Sequence, residues 1–195
     1  MRISAIAAVA AVALLTGAAA ANAADFNGPY VGFGGGLGKS DFSLNGGSNK
    51  DDVSATGFSP AVFGGYQKNL NGIILGAEAD IAYNTSGYTE QGVHLSDDWN
   101  YGVKLRPGYA FTPNTAVFAT AGLIWGDFRS KTPSFNDNET QFGYSLGGGL
   151  ETYVNDRFSV RTDYEHGFFD DYHVNGVKVT PATDTFRVSV GYHFQ

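Results

Sequence analysis

Charged side chains in this 195-residue chain recur at alternate positions: Glu78 and Asp80, Lys104 and Arg106, then Arg161, Asp163 and Glu165, with Glu151 and Arg187 standing singly. A spacing of two puts such residues on one face of a β-strand. A face of this kind supports three chemistries: an ion-pair ladder between strands, a ring of charges around a water path, or acid–base catalysis beside a nucleophile. Facing residues in an antiparallel pair keep a constant sum of positions. The register that sets Glu78 against Arg106 therefore also sets Asp80 against Lys104. By the same arithmetic Glu151 can face Arg161, and Glu165 can face Arg187. We expect a ladder that pins the strands.

The catalytic reading is weaker. Asp163, Glu165 and His166 form the one acid–histidine cluster, but alternation sends the two acids to one face and His166 to the other, with no serine beside it. His94, His166, His173 and His193 lack a metal-ligand spacing, although His94 lies near Asp97 and Asp98 and His173 near Asp170 and Asp171. The glycine run Gly34 to Ser40 imitates a phosphate-binding loop, yet Phe33 occupies the place of the required first glycine and no helix follows. The sequons at Asn84-Thr85-Ser86 and Asn138-Glu139-Thr140 are three-residue patterns that arise readily by chance and carry no weight alone. Neither catalytic residues, nor a cofactor, nor a metal site is expected.

The elements that hold the charged face are strands. From Tyr30 onward the chain divides into eight stretches of about ten residues with apolar side chains at every second position. In the last, Phe186, Val188, Val190, Tyr192 and Phe194 oppose Thr185, Arg187, Ser189, Gly191 and His193. In the fourth, Trp99, Tyr101, Val103, Leu105, Tyr109 and Phe111 oppose Asn100, Gly102, Lys104, Arg106 and Gly108. Pro107 in that strand cannot donate a ladder hydrogen bond, so a bulge or a broken rung is expected there. Short turns at 68–72, 112–114 and 155–156 alternate with longer polar loops at about 40–56, 84–97, 128–139 and 169–184.

A soluble barrel would turn the apolar face inward, whereas a transmembrane barrel turns it to lipid and keeps glycine and charge inside. Aromatic residues near both ends of the apolar faces, namely Tyr66, Tyr83, Trp99, Tyr101, Tyr109, Phe111, Trp125, Tyr192 and Phe194, suit two interfacial girdles. The alternating loop lengths fit short periplasmic turns and longer extracellular loops. The expected fold is all-β: an eight-stranded antiparallel up-and-down transmembrane β-barrel. A lumen of eight strands is just wide enough for side chains to fill, so the ladder is expected to plug it.

Composition agrees with this reading. With 43% hydrophobic and 16% charged residues the chain is too apolar for disorder, and a net charge of -7 argues against nucleic acid as a partner. Glycine, at 27 residues, is about twice its usual share. Met1-Arg2, an apolar run to Leu15 and the sequence Ala21-Asn22-Ala23 make a secretory signal peptide over 1–23, leaving 24–195 as the barrel.

Several segments also resemble a known family. Tyr30-Val31-Gly32, the run Leu75 to Ile81, Gly108-Tyr109-Ala110-Phe111-Thr112-Pro113, Thr120-Ala121-Gly122-Leu123, Gly147 to Glu151 and Asp184 to Phe194 occur in this order. They resemble the small outer-membrane proteins of alphaproteobacteria, the porin-like surface antigens of brucellae, rhizobia and bartonellae. More distantly, Phe63-Gly64-Gly65-Tyr66-Gln67 is similar to the OmpA-type barrel. The resemblance implies the bacterial outer membrane as location, lipid and lipopolysaccharide as surroundings, and recognition of the last strand by the barrel-assembly machinery. Family members end on the aromatic residue, whereas here Gln195 follows Phe194. A structural and surface-display role is expected, with passive diffusion through the lumen, or loops that bind a host surface or haem, as the alternatives.

Overall fold

The computed structural model describes residues 26–46, 49–85, 87–90, 93–132, 135–170, 172–174 and 177–194. The expected signal peptide, 1–23, lies outside them. Among the described residues eleven strands follow one another: β1 (Gly28–Gly46), β2 (Asn49–Phe58), β3 (Ala61–Leu70), β4 (Ile73–Tyr83), β5 (Gly87–Glu90), β6 (Val93–Ala110), β7 (Thr115–Thr132), β8 (Phe135–Tyr153), β9 (Phe158–Phe169), β10 (Tyr172–Val174) and β11 (Val177–His193). They make eight walls, because β2 with β3, β4 with β5 and β9 with β10 each continue one path. The ladders run antiparallel from neighbour to neighbour, and β11 pairs with β1 to close the barrel. Closure removes the sheet edges that would otherwise expose unpaired backbone groups to lipid.

Local chemistry accounts for the joints. Asn71 and Gly72 take φ of 55° and 94°. Two successive positive values define the tight hairpin turn whose twist matches the strands on either side. The β2–β3 joint falls at Pro60, which has no N–H to give. Ser59 nonetheless exchanges both backbone hydrogen bonds with Gly36 at 3.1 and 2.9 Å, so the register against β1 continues across the joint. At Pro107 the β6–β7 ladder skips two pairs between Leu105↔Ala121 and Gly108↔Phe118 without changing register. The outcome is a broken rung; the bulge in that ladder lies farther out, between Asp97 and Trp99.

Two expectations need correction. The segments foreseen as polar loops are largely strand: β1 and β8 run 19 residues each, about twice the ~9–11 needed to cross a bilayer. Hairpins held by backbone hydrogen bonds need no apolar face, and apolar alternation was the only strand signal available in the sequence. The registers of two ladders also differ by two residues from those that charge matching proposed. Glu78 faces Lys104 and Asp80 faces Gly102 across β4–β6, while Arg187 faces Asp163 and Glu165 faces Thr185 across β9–β11. Only the β8–β9 ladder sets its pair, Glu151 and Arg161, face to face.

The barrel is inside out relative to a soluble protein. Phe33 and Leu105 on the outer wall are 66% exposed, whereas Arg106 and Glu151 within are 0% and 1% exposed. At the short-turn end the interior is apolar, with Ile74, Ala116, Phe118 and Tyr153 packed around Phe26.

Candidate functional site

The charged face lines the lumen, and its register explains the glycine content. Seven of its nine charged residues have a glycine directly across a ladder: Glu78 opposite Gly65, Asp80 opposite Gly102, Lys104 opposite Gly122, Arg106 opposite Gly76, Asp163 opposite Gly149, Glu165 opposite Gly147 and Arg187 opposite Gly36. The remaining two, Glu151 and Arg161, face each other. A β-carbon on Gly102 would stand 2.7 Å from Asp80 Oδ1, and one on Gly149 would stand 2.6 Å from Asp163 Oδ1. Real β-carbons do not approach so closely. Glycine thus leaves room for the ionic side chains at Gly102, Gly122 and Gly149, and for the Tyr30 ring at Gly65.

The innermost charged layer sits just above the apolar floor. Arg106 Nη1 donates to Glu151 Oε2 at 2.9 Å and to Gln67 Oε1 at 3.4 Å, while its guanidinium lies 3.7 Å over the Phe118 ring. Glu151 Oε1 accepts from Ser159 Oγ at 2.7 Å and lies 3.0 Å from His193 Nε2. Tyr153 Oη is 2.8 Å from His193 Nδ1. The layer ties β6, β8, β9 and β11 together through side chains that are all nearly or fully buried.

The next layer joins Glu78 to Arg161 at 2.7 Å, with Tyr30 Oη donating to the same carboxylate at 3.0 Å and Phe63 4.2 Å beneath the guanidinium. Farther out, Lys104 Nζ contacts Asp80 at 2.9 Å and Glu165 at 2.5 Å. Arg161 Nε lies 3.5 Å from Asp163 Oδ2. Asp80 and Lys104 therefore meet diagonally, and not as cross-strand partners. Glu78 and Arg106, expected to meet, instead bind Arg161 and Glu151, and Glu165 meets Lys104 in place of Arg187. In a lumen this narrow a charged side chain can reach past the neighbouring strand: Glu78 and Arg161 meet from opposite walls, and Arg106 reaches Glu151 over β7.

Two cavities of about 30 and 20 Å³ occupy the outer half of the lumen and share a border at Glu165, Thr185 and Arg187. Each has room for a water molecule, which needs ~10–15 Å³. Arg187 Nε, Asp163 Oδ1 and Ser189 Oγ, which border the second cavity, have no hydrogen-bond partner among the described residues.

Residues that sequence reasoning did not single out complete these layers: Tyr30, Phe63, Gln67, Phe118, Tyr153, Ser159 and His193. Strand alternation is consistent with an inner face for all seven, although only His193 was assigned to it from the sequence. Four are aromatic, however, and an aromatic residue in a membrane strand reads as lipid-facing until the interior is seen to need flat surfaces under its guanidinium groups.

On the outer wall, Tyr66, Tyr83, Trp99, Tyr101, Tyr109, Phe111 and Phe194 are exposed, while Trp125 and Tyr192 are half-buried. They form a row at each end. Tyr83 packs on Trp99 at 5.1 Å and Trp125 on Phe142 at 5.7 Å near the long hairpins, whereas Tyr192 contacts Phe158 and Phe194 at 5.2 and 5.0 Å near the short turns. His166 also faces outward, 2.7 Å from Asp184 Oδ1, which Tyr164 Oη contacts too. The lumen acids Asp163 and Glu165 are not its partners. The side chains of His94, His173, Asp97, Asp98 and Asp171 lie outside the described residues.

Comparisons with known proteins agree with this geometry. A family model described as the outer membrane protein beta-barrel domain matches residues 7–194. The 22 kDa outer membrane protein of Rhizobium leguminosarum bv. viciae is 29% identical over 171 residues, covering 87% of this chain and 77% of that protein. The 25 kDa outer-membrane immunogenic protein of Brucella melitensis biotype 1 is 26% identical over 176 residues, covering 88% of this chain and 79% of the relative. Among solved structures, neisserial surface protein A shares the fold with a TM-score of 0.56 at 16% identity, over 85% of this chain and 97% of that one.

Proposed function

The chain belongs to the outer membrane protein beta-barrel domain family and resides in the bacterial outer membrane, and from that premise we propose that it is a sealed structural barrel whose lumen is plugged by its own ionic layers. The observation that carries this reading is the innermost layer, where Arg106 and Glu151 pair over β7 at 2.9 Å with both side chains fully buried. An ion path would need hydrated space at that level. Instead the pair rests on the apolar floor.

The rest of the reading follows from the same geometry. The aromatic rows mark the two lipid interfaces, with the short turns toward the periplasm and the long hairpins displayed outside. Residues 1–23 direct export and are removed, the last strand addresses the assembly machinery, and lipopolysaccharide surrounds the outer row. The lumen acids are consumed by ion pairs, which leaves the barrel a non-enzymatic role. Any ligand, whether a host surface or haem, is taken by the outer hairpins.

The test is conductance of the refolded barrel in a planar bilayer, after heat-dependent gel mobility has confirmed folding. A folded, silent barrel is the expected result. Steady channels that change when Lys104 is neutralised would replace the plug with a narrow porin.

A further inference from the structure

The apolar floor of the lumen has an unusual fifth member. Ile74, Ala116, Phe118 and Tyr153 come from β4, β7 and β8, on one side of the barrel, but Phe26 precedes β1 altogether. It is 1% exposed, stands edge-on to Tyr153 with ring centroids 4.9 Å apart, and leans on Phe118 at 6.5 Å. Phe118 in turn carries the Arg106 guanidinium. A segment leading into the barrel thus turns back and fills the mouth that the wall residues leave.

The residues between Phe26 and the wall make that reversal possible. Gly28 has φ of +97°, a conformation that side chains rarely adopt, and a β-carbon there would lie 3.0 Å from Phe194 O. Asn27 Oδ1 accepts the Asn69 N–H at 2.8 Å, which fastens the lead-in to the β3–β4 turn. The Phe194 N–H donates to Pro29 O at 3.0 Å, which fixes the first residues of β1 against the end of the last strand. The bend is thus anchored on both sides of a single permissive glycine, with the aromatic ring on its free arm.

We infer that Phe26 is a hinged stopper that closes the short-turn mouth of the lumen against water and small ions, with Gly28 as its hinge. The inference rests on the sealed-lumen reading, and adds to it a closure that is distinct from the ionic layers and can be removed without touching a charge.

Because the chain contains no cysteine, a single reporter can be placed at the floor. Ala116→Cys puts a thiol at a fully buried position of the floor cluster. The full barrel is refolded in micelles, its fold confirmed by heat-dependent mobility, and the thiol is reacted with a small cationic methanethiosulfonate. With Phe26 present the thiol is expected to be protected. Phe26→Ala is expected to raise the labelling rate on the order of tenfold or more, as for any local opening shifted toward the open form. Gly28→Val, which retains the ring but strains the hinge, is expected to raise it too, while Phe26→Leu keeps protection. Labelling that is as fast with Phe26 in place as without it, or protection that persists in both Phe26→Ala and Gly28→Val, would overturn the stopper. Planar-bilayer recordings on the same proteins separate the two readings. Channels that appear only once Phe26 is removed would count against the ionic plug alone, because the stopper had then held the lumen shut, and a silent barrel whose reporter thiol reacts despite Phe26 would count against the stopper alone.

Discussion

The inner and outer halves of the lumen are built from the same residue types, but they satisfy them differently. In the inner half each oxygen of Glu151 is engaged, by Arg106 on one side and by Ser159 and His193 on the other, while Arg106 Nε and Nη2, which have no hydrogen-bond partner among the described residues, belong to a guanidinium stacked over the Phe118 ring. In the outer half one ammonium, Lys104, serves both Asp80 and Glu165, and Arg187 Nε borders a water-sized cavity. The difference follows from access to water. A buried charge must find its partners in the protein, because the cost of leaving it bare exceeds what any single contact returns. Near the outer mouth the cavities have room for water to complete the set, so the ionic side chains there need not be matched one to one. The floor is therefore expected to tolerate substitution least and the mouth most.

The comparison is broken most sharply at Arg106. Arg106→Met should destabilise the folded barrel by about 3–5 kcal/mol, because it leaves the Glu151 carboxylate buried without its cation. Adding Glu151→Gln should recover more than half of that loss. Denaturant titration of the heat-dependent gel shift measures both, and a double variant no more stable than the single would show that the pair is not what holds the layer. A smaller effect is expected at Lys104. Lys104→Met frees two acids, but they border water-sized cavities, so the loss should be about 1–3 kcal/mol in the same titration; a cost equal to that of Arg106→Met would erase the distinction between the halves. The smallest is expected at Arg187, where Arg187→Gln should stay within about 0.5–1 kcal/mol of the parent. A larger loss would mean that the outer half is as tightly coupled as the floor.

Much of the wall was legible in the sequence and much of the interior was not. Alternation alone assigned Leu75, Ala77 and Ile81 to the lipid face and Glu78 and Asp80 to the lumen, because a strand has only two faces. A short turn was legible within 68–72, and the structure narrows it to Asn71-Gly72, the dipeptide suited to the tight hairpin. Charge matching misplaced two ladders by two residues, a slip that keeps every side chain on its own face and so leaves no trace in hydropathy. It treated ion pairs as links between adjacent strands, whereas Arg106 reaches Glu151 over β7 and Arg161 reaches Glu78 across the lumen. The long outer hairpins were missed for a related reason: both faces of β1 beyond Lys39 are polar or mixed, and only backbone pairing with β2 and β11 makes them strand.

The sequence by itself determined the class of the molecule and the sidedness of each strand, because period-two alternation, an apolar band of membrane length and a charged opposite face admit one closed solution in a bilayer. Register, cross-lumen pairing and the insertion of Phe26 were decided only by tertiary structure. Those features depend on barrel closure, which brings residues from β1, β4, β6, β8, β9 and β11 within a few ångströms of one axis, where the choice of partner is set by distance across the lumen and by which position opposite is a glycine.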